Sequence, residues 1–143
     1  MTEGDTAGGE GAQPAFNTWE LTGVLVREEY SMPWVPAGQT PGLEAADCEG
    51  VDAKYFGKNP ASGPFAYLVR FPPGSRMGAR RHTANLMQFV LAGRADIDDR
   101  PFTAGWYAYV PAGEPVGAIA GGDQECRVME LFDGPPGMTP VSP

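Results

Sequence analysis

Glycine and proline concentrate in the two tails and at predicted turns of this chain, and that punctuation constrains its fold more than any other feature. It holds 20 Gly and 15 Pro among 143 residues. From Val51 to Phe132 they separate short segments whose apolar residues alternate. In Phe65-Ala66-Tyr67-Leu68-Val69-Arg70-Phe71, large residues recur at every second position until Pro72-Pro73-Gly74 ends the run. A period of two is a strand pattern, because successive side chains point to opposite faces. Similar runs cover 51–56, 78–82, 86–91, 106–110, 116–119 and 125–132. An Asp98-Asp99 turn between Ala95–Ile97 and Arg100–Thr103 suggests a hairpin. No stretch carries a convincing helical period. Many short strands joined by Gly/Pro turns predict an all-β sandwich or barrel.

The barrel is expected over residues 16–133, as one domain. Residues 1–15 form an acidic, Gly-rich tail with too little apolar surface to offset the entropy of ordering. Residues 134–143 form a second, Gly/Pro-rich tail. Trp19 to Val26 reads as a first strand, kinked at Gly23. Residues 28–50 read as an ordered arm anchored by Trp34, with one helical turn near Leu43. The formal net charge of -8 argues against nucleic acid and anionic lipid as partners. No apolar run is long enough to span a membrane, and no signal peptide is read. Cys48 and Cys126 stand apart with no C-x-x-C spacing, which predicts free thiols and a cytoplasmic protein.

Two spacings inside the barrel narrow the fold. From Gly74 five residues lead to Arg80, then Arg81 and His82, three more to Leu86, and six to Gly93. From Gly105 five residues lead to Pro111-Ala112-Gly113, two more to Val116, and three to Ala120. This frame resembles the two motifs of the cupin superfamily, which places the chain as a cupin-type jelly-roll barrel. The eleven residues between Gly93 and Gly105, with the Tyr67–Gly74 entry, resemble the cupin group of anti-sigma-factor metal domains and small diketone-cleaving dioxygenases. The resemblance implies a mononuclear metal on four motif positions. Here those positions carry Arg80, His82, Leu86 and Val116. Catalytic metal sites need at least three protein ligands. Leu86 and Val116 have no lone pair, Arg80 is a cation, and the chain has one histidine. No metal and no other cofactor is expected.

The motif frame turns the ligand positions inward. His82 is a candidate acid, base or hydrogen-bond donor, or a relic bonded to its neighbours. Arg80, two residues away, shares its face and either orients a substrate oxygen or pairs with an acid such as Glu130. Gln88 is a lone amide on the Leu86 face and needs a partner, ligand or His82. These three form the candidate catalytic set. Tyr67, Leu86, Tyr107, Tyr109, Val116, Met129 and Glu130 are the candidate substrate contacts. The apolar strand around Trp106 leaves open whether Tyr107 and Tyr109, or Trp106 and Ala108, face inward. Cys126 reads as a small hydrophobe.

The sequence supports three functions. The first is a metal-independent enzyme binding a hydrophobic small molecule, a cyclase or isomerase of bacterial secondary metabolism such as a polyketide or pericyclic ring closure. The second is a binding or sensory barrel without turnover. The third is a metal-dependent, dioxygenase-like cupin. A homodimer is expected, with the Trp19–Val26 strand adding to a neighbour's sheet.

Overall fold

The computed structural model describes residues 18–21 and 23–141. The expected tail over residues 1–15 lies outside them. The strands run in chain order as Thr18–Leu21 (β1), Val24–Arg27 (β2), Val35–Pro36 (β3), Cys48–Glu49 (β4), Asp52–Phe56 (β5), Phe65–Phe71 (β6), Arg76–Met77 (β7) and Arg80–His82 (β8). After them come Leu86–Ala92 (β9), Arg94–Ile97 (β10), Arg100–Thr103 (β11), Tyr107–Val110 (β12), Pro115–Val116 (β13), Ile119–Gly121 (β14), Cys126–Phe132 (β15) and Met138–Pro140 (β16). Two short 3-10 turns, Glu29–Ser31 and Ala37–Gln39, accompany them. Among the described residues no helix is long and apolar enough to cross a membrane.

Two compact units part after Trp34. In the first, β1 and β2 form an antiparallel hairpin with Leu21 opposite Val24. The expected single kinked strand is therefore two strands. Gly23, at φ 82°, supplies the left-handed backbone that reverses the chain.

The second unit is built from three antiparallel sheets. Their strand orders are β12-β9-β15-β6-β5-β3, β11-β10-β14-β7-β4 and β13-β8-β16. In β15 the burial alternates strictly, with Cys126, Val128, Glu130 and Phe132 inside. In β6, Phe65, Tyr67, Val69 and Phe71 face the same core. Phe65 and Phe132 stack at 4.5 Å between ring centroids, and Tyr67 meets Phe65 edge-on at 5.0 Å. Such pairs each add about 1 kcal/mol beyond their buried area.

Turn chemistry fixes the registers. Asp98 and Asp99 adopt φ of 49° and 66° between the paired residues Ile97 and Arg100. Positive φ at both central residues is the hairpin turn whose twist matches its strands. Asn85 joins three loops at one end of the barrel. Its amide donates to Asp133 Oδ2 at 2.8 Å, and its carbonyl accepts from the Ala112 N–H at 2.7 Å. Gly93, at φ 75°, closes the β9–β10 turn, and a Cβ there would lie 1.9 Å from the Glu125 carbonyl oxygen. Gly93→Ala is therefore expected to destabilise the barrel by about 2 kcal/mol or more, from left-handed strain plus the clash. A urea midpoint within error of the parent would refute that.

The segment expected as a C-terminal tail instead contains β16. Met138, Thr139 and Pro140 pair with His82, Arg81 and Arg80, and the Val141 N–H bonds to the Ala79 carbonyl at 2.9 Å. Proline is compatible with this strand because β16 lies at a sheet edge. The arm before the barrel is a series of turns. Thr40, Leu43 and Ala46 each donate to the carbonyl three residues back. Leu43 is fully buried. The single helical turn expected near it is not formed.

Candidate functional site

A polar cluster lies in the middle of the barrel, built from two sheets that face each other. On one side, Tyr67, Glu130 and Gln88 stand in register across β6, β15 and β9. On the other, β8 carries Arg80 and His82, which share a face because they are two residues apart, with Val116 of β13 paired to Arg80. Arg80, Gln88 and Glu130 are each 1% exposed, and His82 is 5% exposed. Leu86 and Val116 belong to the same buried core.

Arg80 links the two sides. Its Nη2 donates to Glu130 Oε2 at 2.9 Å, and its Nε donates to His82 Nε2 at 2.9 Å. Gln88 Nε2 donates to the same Glu130 oxygen at 2.8 Å. His82 thus accepts on Nε2, and its other ring nitrogen carries the proton. Burial, and then the Arg80 guanidinium, lower the His82 pKa to about 4, opposed by Glu130 and by a hydrogen bond to the Gly137 backbone. His82 is a neutral imidazole whose lone pair is already occupied. Its ring also packs on Phe132 at 4.7 Å.

Two polar atoms in this cluster have no partner among the described residues. They are Arg80 Nη1 and Glu130 Oε1, both buried. A buried polar atom without a partner costs about 1–3 kcal/mol, so such atoms call for an explanation. Tyr67 donates its hydroxyl to the Pro41 carbonyl. Burial, and then the nearby Glu130 carboxylate, push its phenol above the usual range. A cleft of about 320 Å³ opens between Pro41, Gly42 and Glu44 on the arm and Pro136, Gly137 and Met138 on the C-terminal segment. Gly137 belongs to both places, since it lines the cleft and its backbone acts on the His82 imidazole.

These side chains do not fit a metal ion. Leu86 and Val116 offer no donor atom, the His82 lone pair faces the Arg80 N–H, and the guanidinium brings a positive charge of its own. Among the described residues, no three of His, Cys, Asp and Glu stand together as a ligand set. What the cluster offers is a fixed cationic N–H donor, a carboxylate lone pair, and apolar walls.

The remaining candidates separate by face. Tyr107 and Tyr109, expected to close the cavity, lie on the outer face of β12 and are 49% and 54% exposed. Ala108, in register with Gln88, packs against the core instead. Tyr107 packs against Phe89 with the rings tilted and their centroids 4.8 Å apart, and lines an outer cleft with Trp106. Met129 alternates with Glu130 in β15, so it faces away from the cluster and does not contribute to it. Cys126 is buried, and burial alone raises its thiol pKa to about 11. Two participants were not anticipated: the carbonyls of Pro41 and Gly137, backbone groups with no signature in the sequence.

With this geometry the fold is that of the cupins. The chain belongs to the ChrR cupin-like domain family, whose model matches residues 25–130. It is similar in structure to a protein from Methylibium petroleiphilum PM1 provisionally assigned as an acetylacetone dioxygenase. That match has 20% identity and a TM-score of 0.63, covering 82% of this chain and 81% of that one. It is also similar to the polyketide cyclase RemF from Streptomyces resistomycificus, at 20% identity and a TM-score of 0.55, covering 72% and 75%. A third match is a chain of the Rhodobacter sphaeroides complex of SigE with the anti-sigma ChrR. There the identity is 18% and the TM-score 0.54, covering 71% of this chain and 49% of that one. At these identities the likeness carries the fold and not an activity. No curated protein matches the sequence.

Proposed function

We propose that this chain is a metal-independent cupin that binds a hydrophobic small molecule inside the barrel and catalyses its cyclisation or isomerisation. The observation that carries this reading is the makeup of the motif positions. Leu86 and Val116 are apolar and buried, while Arg80 is paired with Glu130 and leaves one donor and one acceptor unused. Reactions within reach are those that need shape, an oxygen held by a fixed cation, and a proton acceptor. Glu130 Oε1 is the acceptor with a free lone pair. His82 is a positioning residue: it holds the guanidinium through Nε2 and touches no unpaired group.

A second reading, binding without turnover, is favoured by one observation. The imidazole lone pair is spent within the protein, which removes the most versatile acid–base group.

A linear β-triketone with an aromatic end group is a suitable test compound. Cyclisation or isomerisation yields a product of equal mass, or lighter by one water. Saturable binding with the ketone recovered intact supports the binding reading. Neither binding nor turnover rejects both. Leu86→Trp, which fills the barrel centre, should lower binding or turnover at least tenfold while far-UV circular dichroism stays unchanged. Unchanged activity in a folded Leu86→Trp protein would place the site elsewhere.

A further inference from the structure

We infer that Arg80 Nη1 and Glu130 Oε1 act as one receptor for the uncharged, hydroxyl-like end of an otherwise apolar ligand. This rests on the reading that the barrel binds a small molecule, and it specifies which kind.

Arg80 and Glu130 form an ion pair with side chains 2% and 1% exposed, so their charges cancel inside the barrel. Gln88 carries no charge, and the Tyr67 phenol stays protonated. His82 is neutral at ordinary pH. The cluster is electrically balanced before any ligand arrives. A carboxylate or ammonium entering it would bring a charge with no counter-charge, and burying such a charge is costly.

Arg80 Nη1 can only donate, and Glu130 Oε1 can only accept. Both are unpartnered, and both belong to side chains already held by other bonds, Arg80 by His82 and Glu130, Glu130 by Arg80 and Gln88. A group that satisfies both must accept one hydrogen bond and donate one while staying neutral. Alcohols, phenols, enols and primary or secondary amides do this. Ethers and ketones satisfy only the arginine. Carboxylates satisfy the arginine and oppose the glutamate. Leu86, Val116 and Phe132 belong to the buried core, and these are the apolar side chains against which the rest of the molecule would pack.

The test uses the whole protein and five probes that share one ring system: naphthalene, 2-methoxynaphthalene, 2-naphthol, 2-naphthoate and 2-naphthylmethylammonium. Affinities are measured by calorimetry at pH 7.5. The expected result is that 2-naphthol binds at least tenfold tighter than each of the other four. The methoxy probe needs no variant and removes the bond to Glu130, because a methyl group replaces the donated proton. Glu130→Gln leaves the Arg80 charge unbalanced, so 2-naphthoate should gain at least tenfold relative to 2-naphthol.

Equal binding of naphthalene, the methoxy compound and 2-naphthol would overturn the inference, with water rather than ligand satisfying the two atoms, but would leave the small-molecule barrel standing. A wild-type preference for 2-naphthoate would also overturn it. Failure of all five probes to bind would instead remove the small-molecule reading on which it rests.

Discussion

Glu130→Leu and Arg80→Met are each expected to destabilise the barrel by roughly 3–5 kcal/mol, while the double substitution recovers most of the loss. Each single change leaves its partner as an uncompensated charge in a region where both side chains are almost fully buried. The glutamate loses more than one bond, since Arg80 and Gln88 both donate to its Oε2. The arginine loses its carboxylate partner but keeps His82. Removing both charges replaces the pair with apolar volume among Leu86, Val116 and Phe132, which costs little. Urea unfolding of the four proteins measures the coupling directly. Single losses under about 1 kcal/mol would mean that water reaches the pair and relaxes it.

Acid should weaken the fold through His82 by about 3 kcal/mol, and His82→Gln should abolish that component. In the unfolded chain the imidazole takes up a proton around its ordinary pKa of 6.5, and in the barrel only at about 4. Between those values the unfolded state holds the extra proton. Stability attributable to this group is therefore intact above pH 6.5, falls as the pH drops towards 4, and levels off below. Burial is the main cause and the Arg80 charge the next. Glutamine at this position can still accept from Arg80 Nε but does not titrate. The stability difference between parent and variant, measured across the acid range from neutral pH to below the folded-state value, should shift in the variant's favour by that amount. A difference that stays constant across the range would show that His82 is as readily protonated folded as unfolded.

The sequence carries much of this arrangement and withholds a definable remainder. The spacing from Gly74 to Gly93 places Arg80, His82 and Leu86 on the inward face, and each is buried in the barrel. Alternation around Glu130 places it among apolar residues, where an arginine is a natural partner for it. Met129 is the counterexample from the same strand: large and apolar, but one position out of phase with the interior. Tyr107 and Tyr109 are ambiguous for a physical reason. The run Trp106-Tyr107-Ala108-Tyr109-Val110 is apolar on both faces, so a period of two cannot select one. The core takes Ala108 and Val110 and leaves the three aromatic side chains more than 45% exposed. The bond from Tyr67 to Pro41 ends on a main-chain carbonyl, and the Gly137 group that acts on His82 is likewise main chain, which any residue supplies. The pairing of Met138–Pro140 is hidden by composition, since Gly134-Pro135-Pro136-Gly137 announces a loop and gives no sign of a strand beyond it.

That last strand makes the interior addressable from outside. Its partner in the three-stranded sheet is the strand that bears Arg80 and His82, and a loop of five residues, Asp133 to Gly137, tethers it to the rest of the barrel. A chain nicked in that loop would keep its core sheets but hold the flank of the arginine strand only by noncovalent pairing. A synthetic peptide spanning residues 134–141 would then compete for the slot by strand addition. Isotope labels, spin probes or photocrosslinkers carried on such a peptide would report on the guanidinium's surroundings from the far side of its backbone, without altering any residue that touches it.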